Sequence, residues 1–191
     1  MEGKQTRSRP LLDKRTSYYH HRLQNRPPNV PNYDASAIEL MLNLFFTYDV
    51  VEGQIARGLA AHGLSPASFN VLMLLRGTDG FPLSELGELL LTSRANVTGL
   101  VDGLVQKDLV SREVDTNDRR SRIARLTPRG EALIQEILPG HYAKVGRMVA
   151  GLSVADRKQL SALLQKMRDG AVGPPVHASQ PTRLEAQARK A

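Results

Sequence analysis

Along most of this chain apolar residues recur at intervals of three and four, and in two short stretches they alternate with polar ones instead. From Ala35 to about Ala61, Ile38, Leu42, Phe45, Ile55 and Leu59 keep the helical spacing, with Asp49 and Glu52 interrupting, which predicts one long amphipathic helix. Ser65-Pro66 supplies a cap and a proline at the first helical position, where its missing N–H costs nothing. The short helix that follows is apolar through Phe69, Leu72, Met73 and Leu75. Thr78-Asp79-Gly80 reads as a turn, and Phe81-Pro82-Leu83 as extended chain, because proline disfavours helix in the residue before it. Ser84 is expected to cap a further short helix through Leu91, buried through Leu86, Leu89 and Leu90.

Thr92-Ser93 offers a break and a new cap. Beyond it Val97, Leu100, Val101, Leu104 and Val105 form a stripe covering one helix face. The opposite, early face is small, polar and basic: Arg94, Ala95, Asn96, Thr98 and Gly99, with Asp102 a turn later. Residues 109–114 and 122–126 alternate as strands around the turn cluster Asp115-Thr116-Asn117-Asp118, making a hairpin with a charged tip. Thr127-Pro128 caps a long last-but-one helix, in which Pro139-Gly140 predicts a kink or break. Ser153 to Asp156 resembles a capping box that opens a final helix ending near Gly170.

Two short helices across a tight turn, followed by a two-stranded ribbon, make a winged helix-turn-helix. The expected fold is mainly α, with long flanking helices and a short β-hairpin wing. Such a helix buries its apolar stripe and offers its polar N-terminal residues to a major groove, while a basic hairpin reaches the neighbouring minor groove. The helix N-terminus adds unpaired N–H groups and a positive dipole end, both suited to phosphate.

Charge sharpens this picture by where it lies. The 191 residues carry 26 Lys+Arg and 19 Asp+Glu, for a net charge of +7. Residues 1–30 contribute +5 and residues 171–191 contribute +2, so the body between them is neutral. Within the body, residues 31–91 sum to −5 and residues 92–130 to +3. The local surplus around the second short helix and the hairpin is the informative one, because nucleic-acid binding depends on where charge sits.

Composition removes several classes. With no Cys, a disulfide scaffold, a Cys-ligated zinc module, an iron–sulfur cluster and a thiol switch are excluded. No Trp and 5% aromatics argue against a base-stacking surface for single strands. The basic N-terminus lacks an apolar stretch and does not read as a secretory signal, and Ile38–Val51, which contains Glu39, Asn43 and Asp49, is too short to span a bilayer. The expectation is a soluble, cytoplasmic protein with no membrane partner. No nucleophile–base pair, P-loop or dinucleotide glycine pattern supports an enzyme. His20-His21, His62, His141 and His177 lack the spacing of a metal site, so neither metal nor cofactor is expected. In the helix, Arg94, Asn96 and Thr98 are candidates for base edges, since Arg suits guanine and Asn suits adenine. Thr92 and Ser93 either touch phosphate or only cap the helix. Arg119 and Arg122 suit phosphate contacts or a solvated surface.

The run Asp115-Thr116-Asn117-Asp118-Arg119-Arg120-Ser121-Arg122-Ile123-Ala124-Arg125-Leu126-Thr127-Pro128-Arg129-Gly130 resembles the wing of MarR-type transcriptional regulators, which reads D-x-x-D-x-R-x-x-x-V-x-L-T-x-x-G. Leu83 to Leu86 and Thr92 to Leu104 resemble that family's helix-turn-helix, at fitting spacing. The likeness covers roughly residues 34–170 and is specific over 84–130. It departs at Ala124, where the family more often has a β-branched residue. The resemblance implies a homodimeric, ligand-responsive, sequence-specific regulator of transcription on a pseudo-palindromic double-stranded operator. It implies that Arg120 enters the minor groove and that Asp118 orients it; the motif context favours that role for Asp118 over a plain Asx-type turn.

The implied organisation is a basic flexible extension over 1–33, a body over 34–170 and a flexible tail over 171–191. In that body, dimerisation helices 35–61 and 128–170 flank a winged helix at 64–127. The effector implied by the resemblance is a small aromatic or anionic molecule. Phe45, Tyr48, Arg57, His62 and Met73 could line its space, but each also reads as core or dimer packing, so no ligand site is assigned. The competing class is a winged helix used for protein–protein contact, with Arg94 and Arg120 meeting an acidic partner.

Overall fold

The computed structural model describes residues 17–19, 21, 31, 33–115 and 121–172. Helix α1 (Ala35–Ala60) starts on Asp34, whose carboxylate accepts hydrogen bonds from the Ser36 hydroxyl at 2.6 Å and from the Ser36 and Ala37 N–H groups. These bonds, that of the Ser36 side chain first, hold its pKa below the ordinary 3.8. Ser65 caps α2 (Pro66–Leu75) by accepting from the Ser68 N–H at 3.1 Å.

Strand β1 (Phe81–Pro82) leads into α3 (Leu83–Leu89). The expected Ser84 cap is not formed. Pro82 occupies the cap position without a side-chain bond, and Ser84 is already inside the helix. The helix also ends at Leu89 rather than Leu91, because Leu91 turns left-handed at φ +50°. Next come α4 (Arg94–Gln106), β2 (Val110–Val114) and β3 (Arg122–Leu126). α5 (Pro128–Met148) and α6 (Val154–Val172) complete the chain. The three strands form one antiparallel sheet ordered β1-β3-β2. Val110 pairs with Leu126 and Val114 with Arg122, while Phe81 pairs with Ala124 across the other edge. Proline is tolerated in β1 because that strand is an edge.

The core gathers under the helix-turn-helix. Leu72 and Leu75 of α2, Leu86 of α3, Val97 and Val101 of α4, Phe81 and Ile134 are fully buried together. Ala124 is also fully buried, which accounts for its small side chain: Phe81 fills the position across from it. At the start of α5, Thr127 bonds three ways. Its N–H donates to the Leu109 carbonyl at 3.1 Å, its hydroxyl donates to the Asp108 carbonyl at 2.7 Å, and its Oγ1 accepts from the Gly130 N–H at 3.0 Å.

Of the kink or break expected at Pro139-Gly140, a break is absent: helix α5 is continuous through both residues. Proline removes one N–H from the ladder, but Ile134, Ile137 and Leu138 on the preceding turn are buried and hold the helix to the core. The chain divides into two compact units between His141 and Tyr142. In the second unit, Ser153 and Asp156 cap α6 reciprocally. Asp156 accepts from the Ser153 N–H and hydroxyl, and Ser153 Oγ accepts from the Asp156 N–H.

Candidate nucleic-acid interface

The N-terminus of α4 is built by its own first residues. Ser93, in extended conformation, accepts the Asn96 N–H on its hydroxyl at 3.3 Å, so of the two roles open to it the structure shows the cap. Thr92 holds the Asn96 side chain instead, accepting from Nδ2 at 3.2 Å. That bond leaves Asn96 with one N–H and its carbonyl oxygen, the donor–acceptor pair that the N6/N7 edge of adenine takes. Asn96 and Ser93 are exposed, and Thr92 and Thr98 are half-buried. Arg94 opens the helix by its backbone, and its side chain lies outside what is described. On the inner face Val97, Val101 and Leu104 are buried, whereas Val105, expected on the same stripe, is 38% exposed at the stripe's edge.

The outward centre of α4 carries almost no side chain. Ala95 and Gly99 are exposed there, and with Gly103 they border a groove of about 590 Å³ that Ala67 and Ser68 of α2 close on the other side. A methyl group placed on Gly99 or Gly103 would meet nothing within 4 Å.

The hairpin is tied to α4 by charge. Arg112 of β2 donates from Nη1 to Asp102 Oδ1 at 2.5 Å, and both side chains are more than a third exposed. Arg125 of β3 pairs with Glu113 of β2 at 3.4 Å and also donates to the Asp79 carbonyl. Arg122 is exposed at the described end of β3, and its guanidinium donates to the Ser121 carbonyl at 3.4 Å. The Asp115 N–H closes onto the Ser121 carbonyl at 3.2 Å. The tip between them, with Asp118, Arg119 and Arg120, lies outside the described residues.

Thr92, Ser93, Asn96 and Thr98 are thus brought together at one helix end, with Arg122 on the hairpin. The Asp102–Arg112 pair went unread in the sequence. Its signal was a lone carboxylate on the otherwise small polar face of α4, ten residues before a strand arginine. Among the described residues, no group of three or more His, Cys, Asp or Glu could hold a metal ion, and no helix is long and apolar enough to cross a membrane.

A capped helix with a polar leading edge, packed on two further helices and joined by a salt bridge to a two-stranded ribbon, defines a winged helix-turn-helix protein. The MarR family model matches residues 64–121, the segment from the end of α1 to the hairpin tip. The chain is 33% identical to the transcriptional repressor YetL of Bacillus subtilis over 135 residues, covering 70% of this chain and 81% of that protein. It is 30% identical to the transcriptional regulator MhqR of the same organism over 131 residues, covering 69% of this chain and 90% of that protein. The chain belongs to the MarR family. Among solved structures, Bordetella bronchiseptica BpsR superimposes with a TM-score of 0.63 at 27% identity, over 69% of this chain and 99% of that one. That structure is described as showing how 6-hydroxynicotinic acid regulates DNA binding by BpsR.

Proposed function

We propose that this protein is a cytoplasmic transcriptional regulator that binds duplex DNA as a homodimer, acting by occupancy rather than catalysis. In this reading α4 enters the major groove with Arg94, Asn96 and Thr98 toward base edges and Thr92 and Ser93 near phosphate. The hairpin tip, with Asp118, Arg119 and Arg120, reaches the adjacent minor groove, and Arg122 lies along the backbone. The observation that carries the reading is the end of α4: a capped, exposed, polar helix N-terminus whose Asn96 amide is held in one pose by Thr92.

Dimerisation is supported by the apolar surface of α1, where Leu40, Phe45 and Tyr48 are each more than half exposed. A second copy covers that face and places two α4 helices on a pseudo-palindrome, half-sites about one helical turn apart. Within the first unit, a hollow of about 380 Å³ lined by His62, Lys107, Arg129 and Glu136 over Leu109 and Leu133 suits a small anion. It sits beside the C-terminal end of α4, where the Lys107 ammonium donates to the Gly63 carbonyl at 2.5 Å. A ligand engaging Lys107 there would pull on the helix that reads DNA, which gives the effector a route to release. Regulation of BpsR by an aromatic acid supports the same class of ligand.

The test is titration against a random-sequence duplex at two salt concentrations, followed by selection of bound sequences from a randomised pool. Binding that weakens steeply as salt rises, and selected sites with two-fold symmetry, are the expected results. No binding even at low salt would overturn the proposal and favour a winged helix that meets an acidic protein.

A further inference from the structure

Three helices of the first unit end alike. Gly63, Leu91 and Asp108 each adopt the left-handed conformation, at φ +67°, +50° and +58°. At each, the N–H of that residue and of the next fold back onto carbonyls of the last turn. At Leu91 the bonds run from the Leu91 N–H to the Glu88 carbonyl at 3.2 Å and from the Thr92 N–H to the Gly87 carbonyl at 3.0 Å. Glycine adopts this conformation freely and aspartate tolerates it, whereas a leucine side chain crowds its own backbone there.

The Leu91 side chain gains nothing from the fold in return. It is 94% exposed and has no place in the core cluster, while its neighbours Leu89 and Leu90 pack against that core. A glycine at this position would satisfy the same two hydrogen bonds without backbone strain and without an apolar group in water. Two local rules are broken at one residue, which marks a position shaped by something outside the chain.

Its location says what that is. Leu91 immediately precedes Thr92 and Ser93, the cap of α4, and the outward centre of α4 behind it is Ala95 and Gly99. A helix whose outward centre is this bare approaches base edges closely between its polar readers, and an isobutyl group ahead of its N-terminus enters the groove with it. The one apolar feature of a major-groove edge is the C5-methyl group of thymine. We infer that Leu91 is a specificity-determining residue that packs against a thymine methyl at one position of each half-site. This inference rests on the DNA-binding reading above and adds to it a base and a chemical group.

The experiment uses the full chain and a duplex selected from the randomised pool. Each thymine of that duplex is replaced in turn by uracil, which deletes only the methyl group. With the native chain, one position per half-site is expected to lose roughly fourfold in affinity, the transfer value of one methyl. L91G is expected to melt at a higher temperature, because the backbone strain is gone, yet to bind the thymine duplex roughly tenfold more weakly. At the critical position L91G should no longer distinguish thymine from uracil, and L91N, which also tolerates the left-handed backbone, should behave as L91G does. Equal affinity of L91G and the native chain, or a uracil penalty unchanged by the substitution, would overturn the assignment while leaving DNA binding intact. A native chain that retains no duplex from the pool would instead remove the DNA-binding reading and this inference with it.

Discussion

Gly80 and Gly130 sit behind the helix-turn-helix, and Gly99 and Gly103 sit on its outward helix. A Cβ at Gly80 would lie 2.5 Å from the Ala124 carbonyl, at a φ of +96° that side chains rarely adopt. A Cβ at Gly130 would overlap the Leu109 carbonyl, the same oxygen that receives the Thr127 N–H. At Gly99 and Gly103 the same atom would meet open space, although glycine within a helix costs stability. The back of the domain uses glycine because its own backbone leaves no room for anything else. The front uses it where the fold would gain from alanine. Tight packing explains the first pair. The second pair is not required by packing, and it lies on the face that the DNA-binding reading turns toward a duplex.

The sharpest way to break this contrast is to add one methyl group at each place. Gly80→Ala and Gly130→Ala are each expected to cost about 3 kcal/mol, the upper range for forcing extra volume into a packed site, read as a large drop in melting temperature. Gly99→Ala and Gly103→Ala should go the other way, each raising stability by roughly 1 kcal/mol in the same melts. Under the DNA-binding reading, Gly99→Ala should also weaken duplex binding, and an unchanged affinity would show that α4 does not approach closely. Ser93→Ala is expected to cost about 1 kcal/mol through loss of the cap. Arg112→Ala should cost less, roughly 0.2–1 kcal/mol, because its pair with Asp102 is exposed. Its larger effect should fall on DNA affinity, since the pair sets the hairpin against α4, and a variant that binds normally would sink that role.

The smallest effect is a matter of pH. Bonds from the Ser153 hydroxyl and then the Ser153 N–H hold the Asp156 pKa below its ordinary 3.8. A carboxylate lowered in the folded state contributes stability above its unfolded value and loses it as pH falls through the folded one. Helicity at the start of α6 should therefore fray only on acidification below about pH 4, and D156N should show the frayed state throughout.

Much of this fold could be read from the chain because its signals are local. Ser65-Pro66, Ser93 and Thr127 each bond within three residues of themselves, so residue type and position are enough to place them. The hairpin declared itself by alternation around a turn cluster. What escaped depended on distance or on an exception. Ser84 looked like a cap until Pro82 took that place. Leu91 gave no sign, since the left-handed end of a helix is announced by Gly or Asn and here carries neither. Of the kink or break expected at Pro139-Gly140, the break is absent, since burial of Ile137 and Leu138 outweighs one lost hydrogen bond. The Asp102–Arg112 pair joins two elements whose approach only the tertiary fold decides. At the start of α4 this means that the Ser93 cap was legible, whereas what braces the hairpin was not.

The pairing of Phe81 with Ala124 has a consequence for how the domain forms. The β2–β3 hairpin joins near neighbours in sequence, but β1 meets β3 only after α3, α4 and β2 have been laid between them. Closing residues 81–124 into one loop costs chain entropy that the hairpin alone does not face. That ordering predicts that the edge strand docks late in folding, after the local pieces exist. Once closed, it fastens both ends of the helix-turn-helix to a single sheet. Residues 83–109 then cannot loosen wholesale without either opening that clasp or unfolding inside it, so amide exchange in α4 and in Ala124 should slow together when β1 docks.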